Sequence, residues 1–175
     1  MKNAIITGVL AATILMAGCG KKSSSSSAAP PTAQAAASSS SPISQPALTA
    51  WQQGDKATAV SSFLAADWSA RPLFAAGSPL SLSEGQFKAL SDADRQAKSN
   101  EMLPQISSLK QLGAAVAQAG RDAAAKGDTA QARKCFTSLK QCGTALESPD
   151  CLQLVQLVGK AFEKMSDTEL AKIGQ

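Results

Sequence analysis

The large apolar residues of this sequence recur at helical spacing, and this pattern decides the fold class. Leu103, Ile106, Leu109, Leu112 and Val116 follow one another at steps of three and four residues, which places them on one side of an α-helix. No segment shows the strict alternation of apolar and polar residues that is typical of a strand. We therefore predict an all-α protein.

The apolar side chains are mostly small. Hydrophobic residues make up 44% of the chain, but aromatic residues only 4%, and Ala supplies much of the difference. Because Ala favours helices and leaves little side-chain volume to fill, helices that present it can pack closely. We expect a small bundle of helical hairpins with a modest core.

Composition changes sharply before the helical pattern begins. Residues 20–41 are mainly Ser, Ala and Pro and contain no large apolar side chain, so they cannot form a core. We predict a disordered tether over residues 19–42 and one helical domain over residues 43–175. A flexible chain of about 22 residues has a typical reach of about 25–30 Å.

The N-terminus has the three parts of a signal peptide. Lys2 gives a short basic start, residues 4–16 form an apolar run, and the small residues Ala17 and Gly18 precede Cys19. The apolar run is about thirteen residues long, whereas a helix that crosses a bilayer needs about twenty. The sequence therefore predicts export and the removal of residues 1–18.

Residues 15–19 resemble the lipobox of bacterial lipoproteins, with Met16 where Leu, Val or Ile is usual. The resemblance implies that Cys19 becomes the first residue and carries a diacylglyceryl thioether and an acylated amino group. Several acyl chains would hold the protein on the membrane permanently. In enteric bacteria an Asp directly after the lipidated cysteine resembles an inner-membrane retention signal. Gly20 stands at that position here, which favours the outer membrane. The alternative is an ordinary signal peptide followed by an incidental cysteine.

Cap residues predict where the first helices of the domain begin. Pro46 can open a helix that runs to Gln53, Gly54 interrupts it, and Asp55 can cap a second helix, which together make a hairpin. The residues expected on the inner face of the second helix are Val60, Phe63, Leu64 and Trp68.

The middle of the domain is predicted to contain one short and one long helix. Ser83 can cap a short helix that ends at Leu90, and Ser91 with Asp94 fits a capping box. The helical pattern then continues over residues 92–126. Pro104 is expected to kink or divide this long helix because it lacks an amide hydrogen.

The C-terminal part is predicted to hold three further helices. Gly127 forms a turn and Asp128 caps the first helix, residues 148–149 open the second, and Ser166 with Glu169 fits a capping box for a short last helix. The residues expected to face inward are Ala132, Phe136, Leu139, Leu152, Val155, Val158 and Phe162.

Both hairpin turns share a Gly-Asp pair followed by small residues and an aromatic. Gly54-Asp55 precedes Phe63, and Gly127 precedes Phe136. These segments resemble tetratricopeptide-like hairpins, which implies close helix contact with the aromatic filling the gap. The two units lie about 73 residues apart instead of adjacent at a period of 34, so two ordinary hairpins are the alternative reading.

Three cysteines remain once Cys19 is set aside. Cys135 and Cys142 are seven residues apart on one predicted helix, about 10.5 Å along its axis, which is too far for a disulfide. Because export permits disulfides, we predict a Cys142–Cys151 bridge across the connection between antiparallel helices, with Cys135 as a buried thiol. No metal site is expected, because the spacing does not fit a zinc motif.

The absence of His and Tyr argues against most catalytic sites. His is the commonest general base, so we predict a noncatalytic protein without a cofactor. The run Ser107-Ser108-Leu109-Lys110 is interpreted as one polar helix face, and a Ser-Lys dyad within it and an uncharacterised hydrolase remain formal alternatives. The net charge of +4 comes from scattered basic residues instead of a dense patch, so nucleic-acid binding is not expected.

The sequence thus favours an envelope lipoprotein that binds a protein partner or acts as a structural spacer. The candidate partner surface is formed by Trp51, Phe63 and Trp68, which could equally belong to the core. The alternative function is binding of a small apolar ligand between Ala-rich and Gly-rich helices. A partner site predicts an exposed apolar patch, whereas a ligand site predicts an enclosed cavity.

Overall fold

The computed structural model describes residues 42–174. The predicted signal peptide, the predicted lipidation site Cys19 and the predicted tether as far as residue 41 lie outside the described residues. Within residues 42–174 the chain is helical and contains no strand, which confirms the all-α prediction. None of the helices described is both long enough and apolar enough to cross a membrane.

Six α-helices and one short 3-10 turn, Pro79–Ser81, make up the described domain. The helices are α1 (Gln45–Gln52), α2 (Lys56–Ala65), α3 (Glu84–Lys88), α4 (Asp92–Ala125), α5 (Thr129–Leu146) and α6 (Gln153–Ile173). Helix α5 packs along both α4 and α6, and the α1–α2 hairpin packs against α4 and α5.

The first hairpin forms as its cap residues predict. The backbone of Gly54 has a φ of +83°, a conformation that other residues rarely adopt. The carboxylate of Asp55 accepts a hydrogen bond from the backbone amide of Thr58 at 3.0 Å. This bond satisfies one of the free amides in the first turn of α2, so the predicted helix start is confirmed.

Helix α4 begins as predicted but is not divided at Pro104. The hydroxyl of Ser91 accepts a hydrogen bond from the amide of Asp94 at 3.1 Å, and the helix then continues to Ala125. Because Pro104 has no amide hydrogen, the carbonyl of Asn100 lacks its helical hydrogen-bond partner. Both residues are exposed, so water can bond that carbonyl. The cost of the proline is therefore too small to end the helix.

Helix α5 starts as predicted, but α6 differs from the sequence prediction at both ends. The carboxylate of Asp128 caps α5 by accepting a hydrogen bond from the amide of Gln131 at 3.0 Å. The predicted helix start at residues 148–149 is wrong: the amide of Cys151 bonds the Ser148 carbonyl in a turn, and α6 begins at Gln153. There the carboxylate of Glu84 accepts a hydrogen bond from the first amide of α6, at 3.3 Å.

A separate last helix is also wrong, because α6 runs unbroken through Ser166 to Ile173. Ser166 is fully buried, and its hydroxyl donates to the carbonyl of Phe162 at 2.7 Å instead of capping a new helix. Glu169 pairs with Arg121 of α4 at 3.3 Å. Ser166 therefore has its partner within α6 and Glu169 has a partner on α4, which the local cap pattern does not reveal.

Glycines allow the three long helices to approach closely. A Cβ atom built on Gly113 of α4 would lie 2.2 Å from the ring of Phe162, and one on Gly120 would lie 2.7 Å from the ring of Phe136. Between α5 and α6 the contact involves backbone: a Cβ on Gly159 would lie 2.6 Å from the carbonyl oxygen of Gly143. Small residues therefore set the helix spacing in this bundle.

The three described cysteines are free and buried, and the described structure contains no bridge between Cys142 and Cys151. Helix α5 continues for one turn beyond Cys142, which keeps that thiol inside the bundle. Cys151 lies in the turn before α6, beside a small cavity that Arg71 and Leu80 also line. The expectation that Cys135 is a buried thiol is confirmed.

We expect the thiol of Cys142 to resist alkylation in the folded protein. Burial raises its pKa well above the ordinary value of 9.0, so little reactive thiolate forms at pH 8. Iodoacetamide followed by peptide mass analysis should leave Cys142 unlabelled in buffer and label it fully in urea. A disulfide between Cys142 and Cys151 under nonreducing conditions would contradict the structure.

Candidate functional site

Three large hydrophobic side chains of the described domain are exposed, and all three belong to α4 and α6. Leu103 of α4 is 57% exposed, and Leu154 and Leu157 of α6 are 40% and 55% exposed. Scattered exposed leucines are common on protein surfaces, but Leu154 and Leu157 border one groove.

The groove between α4 and α6 has a volume of about 390 Å³ and a mostly apolar lining. Leu103 lies one turn before Ile106 on α4 and is not among the lining residues. We refer to it as the α4–α6 groove. Its lining residues are Ile106, Lys110, Leu154, Leu157, Val158, Ala161, Phe162 and Met165.

The groove follows from how α4 and α6 are connected through α5. Each successive pair is antiparallel, so α4 and α6 run in the same direction on either side of α5. They meet closely at Gly113 and Phe162, and further along Arg121 pairs with Glu169. Before this close contact a groove lies between the two helices, in which Leu154 and Leu157 face solvent while Ile106 and Val158 are buried.

One lysine borders the apolar lining. Lys110 lies on the α4 side of the groove. It makes no ion pair with a carboxylate among residues 42–174, whereas Lys98 pairs with Glu101 at 2.8 Å on the exposed surface of α4. Lys110 is the one charged side chain among the lining residues of the groove.

A second groove, of about 500 Å³, lies between the segment after α2 and helix α5. Its lining is more polar and includes Arg71, Thr137 and Lys140, the last of which pairs with Asp167 at 2.7 Å. Both grooves are open to solvent. Neither of them is the enclosed cavity that the small-ligand alternative predicts.

Of the three residues proposed as a partner surface, Trp51, Phe63 and Trp68, two lie in the core, which is the alternative that the sequence left open. Phe63 is 0% exposed and Trp68 3% exposed, and their ring centres lie 4.6 Å apart in the core. The indole nitrogen of Trp68 donates to the carbonyl of Phe63 at 3.2 Å. Only Trp51 is half-buried, beneath the ammonium group of Lys56 at 5.8 Å.

The aromatic residues are buried because a core built largely from Ala needs a few large side chains to fill it. The α4–α6 groove was not predicted from the sequence. Leu154 and Leu157 lie three residues apart on α6, outside the row of Val155, Val158 and Phe162 that faces the core. This second apolar row on one helix is a signal that the sequence does contain.

The residues of the formal Ser-Lys dyad lie on adjacent turns of α4. The hydroxyl of Ser107 accepts a hydrogen bond from the side chain of Gln111 at 3.3 Å, while Lys110 borders the α4–α6 groove. No hydrogen bond joins Ser107 to Lys110 in the described structure. Groups of three or more acidic or cysteine side chains that would hold a metal ion are absent from residues 42–174.

Two carboxyl groups face each other near the C-terminal end of α5. One side-chain oxygen of Glu147 is buried without a hydrogen-bond partner among the described residues, and Glu163 accepts a hydrogen bond from Thr144 at 2.5 Å. Burial, and then the charge of Glu163, raises the pKa of Glu147 above its ordinary value of 4.5, against a smaller opposite effect of Lys160. The folded protein therefore holds a proton here more readily than the unfolded chain.

We expect Glu147→Gln to raise the melting temperature at pH 8 and to lose this advantage at pH 3. The raised pKa of Glu147 contributes stability at low pH, and this contribution is lost as pH rises from 4.5 through the pKa of the folded state. Removing the charge of Glu147 therefore stabilises the protein only above that range. Melting curves against pH would measure this. Glu101→Gln, at an exposed ion pair on α4, is the control, and an equal gain from it would contradict the prediction.

Comparison with protein-family models, with curated proteins and with solved structures finds no match for this chain. The tetratricopeptide-like character of the two hairpins therefore stays a prediction from the sequence. The case for a function rests on the residues of the chain itself.

Proposed function

We propose that this chain is a noncatalytic lipoprotein of the bacterial envelope whose helical domain binds a protein partner at the α4–α6 groove. The observation that carries the proposal is the joint exposure of Leu154 and Leu157 along one apolar groove. Exposed apolar surface of this kind is costly in water and is commonly covered by a partner.

The N-terminal sequence supports the location. The lipobox-like residues 15–19 favour lipid attachment at Cys19, and residues 20–41 suit a tether that holds the domain near the membrane. The outer membrane is favoured because Gly20 follows the cysteine. In this setting a protein of the envelope lies within reach of the groove.

Replacing Cys19 with serine tests the anchor. If the thiol carries the lipid, Cys19→Ser should move nearly all of the protein from the membrane fraction to the soluble fraction, because the acyl chains supply the attachment. Immunoblotting of separated fractions would measure the change, with Cys135→Ser as the matched control. A Cys19→Ser protein that stays on the membrane would contradict lipid anchoring.

Site-specific crosslinking tests the groove. A photoreactive apolar residue at position 157 should form one main protein adduct in the native envelope, whereas the same residue at the exposed position 130 of α5 should not. Equal adducts at both positions, or none, would contradict the proposal. A copurifying small molecule without a protein adduct would favour the small apolar ligand.

A further inference from the structure

We propose that the contact between α5 and α6 is a pH-sensitive switch built on Glu147 and Glu163. In the closed contact a protonated Glu147 donates a hydrogen bond to the carboxylate of Glu163. When Glu147 releases this proton to solvent, the end of α5 and the facing part of α6 separate. The switch belongs to the bundle itself and operates whether or not a partner occupies the α4–α6 groove.

The two glutamates occupy equivalent places on the two helices. At the end of α5 Glu147 follows Gly143 by four residues, and in α6 Glu163 follows Gly159 by four residues. Because the helices are antiparallel, each glutamate packs over the glycine of the opposite helix. A Cβ atom built on Gly159 would lie 2.9 Å from Cγ of Glu147, and one built on Gly143 would lie 2.8 Å from Cγ of Glu163. The two carboxyl groups are thus brought together across one helix contact.

Glu147 is the glutamate that keeps the proton. It forms the C-cap of α5, where free carbonyl groups make the end of a helix negative. One of its oxygens is buried without a hydrogen-bond partner among the described residues, so a negative charge there would be poorly compensated. Glu163 accepts a hydrogen bond from the hydroxyl of Thr144 at 2.5 Å. A carboxylate has room for several such bonds, so Glu163 can also accept one from protonated Glu147.

The charged groups around Glu147 favour its protonated form. Burial, and then the charge of Glu163, raises the pKa of Glu147, and Lys160 of α6 opposes them less strongly. Glu147 forms no ion pair among residues 42–174. Arg71 and Asp150, near the turn that follows α5, line a separate small cavity.

The cations near Glu163 have other partners or positions. The hydrogen bond from Lys140 to Asp167, at 2.7 Å, is the main cause of the raised pKa of Lys140, and the charge of Glu163 adds less. Lys110 of α4 borders the α4–α6 groove. Loss of the proton from Glu147 therefore leaves two like charges facing each other. Because the stem of each glutamate packs on the backbone of the opposite helix, this repulsion acts on the spacing of the helices.

Hydrogen–deuterium exchange of the full-length protein in detergent micelles tests the switch. Glu147→Gln mimics the protonated side chain, because its amide group also donates hydrogen bonds. At pH 8, peptides that cover residues 143–147 and 153–163 should exchange at least about fivefold faster in the parent protein than in Glu147→Gln, because the charged contact opens more often. At pH 4 the parent protein holds the proton, so the two proteins should exchange equally.

Two further variants separate the switch from a general gain in stability. Glu163→Gln leaves a single carboxyl group at the contact and should also slow the exchange at pH 8. Glu101→Gln, at the exposed ion pair on α4, should exchange like the parent protein. Equal exchange in the parent protein and Glu147→Gln at pH 8, or a difference that persists at pH 4, would overturn the inference. A higher melting temperature of Glu147→Gln without slower exchange would overturn it too, because the charged side chain would then turn to solvent while the helices stay together.

Discussion

Gly159→Ala is expected to lower the free energy of unfolding by about 2–3 kcal/mol, because the added methyl group has no room. Its Cβ would lie 2.6 Å from the carbonyl oxygen of Gly143 and 2.9 Å from the side chain of Glu147. The first of these atoms is helix backbone and cannot move aside, so α5 and α6 must separate. The measurement is urea unfolding followed by circular dichroism.

The matched control is Gly85→Ala in α3. There the nearest atom to the new Cβ is the hydroxyl of Ser83 at 4.0 Å, so only the helix preference changes. That preference should make Gly85→Ala neutral or stabilising by up to about 1 kcal/mol. The same gain at Gly159 would show that the α5–α6 contact is looser than the structure describes.

Phe63→Ala is expected to cost about 3–5 kcal/mol, because the ring is wholly buried and its removal leaves a cavity in the core. The loss is a large part of the stability of an ordinary small domain. It should appear as a lower urea midpoint and as a change in the fluorescence of Trp68, whose ring packs on Phe63.

Trp51→Ala in the same hairpin is the control, since Trp51 is half-buried and should cost less to remove. The comparison separates a core residue from a surface residue. If Phe63→Ala kept the stability but weakened crosslinking at position 157, the aromatic cluster would belong to the partner surface after all.

Helix starts were predicted well because a cap is a local interaction. Asp55, Ser83, Ser91 and Asp128 each accept a hydrogen bond from the amide three residues further on, and the sequence alone contains that spacing. The wrong boundary at Ser166 has a cap-like sequence too. There burial against other helices decided the structure, and local spacing carries no information about that.

The candidate site was harder to predict than the fold. The sequence showed that aromatic residues are few, but it did not show whether they fill the core or face a partner. The groove depends on α4 and α6 lying on either side of α5, which is a long-range property of the bundle. Which lysines find carboxylates in three dimensions is likewise not determined by the order of residues.

The chain enters the domain at the same level of α4 as the groove. Ser44, at the start of α1, and Gln105 of α4 line one small cavity, and Gln105 lies between Leu103 and Ile106 in sequence. Helix α4 is about 50 Å long, and the larger part of it follows Gln105 and so extends away from this entry point. With a lipid anchor at Cys19, the contour of residues 20–41 would set the height at which a partner is held above the bilayer. Lengthening or shortening that segment would then raise or lower this height, while the bundle itself stayed the same.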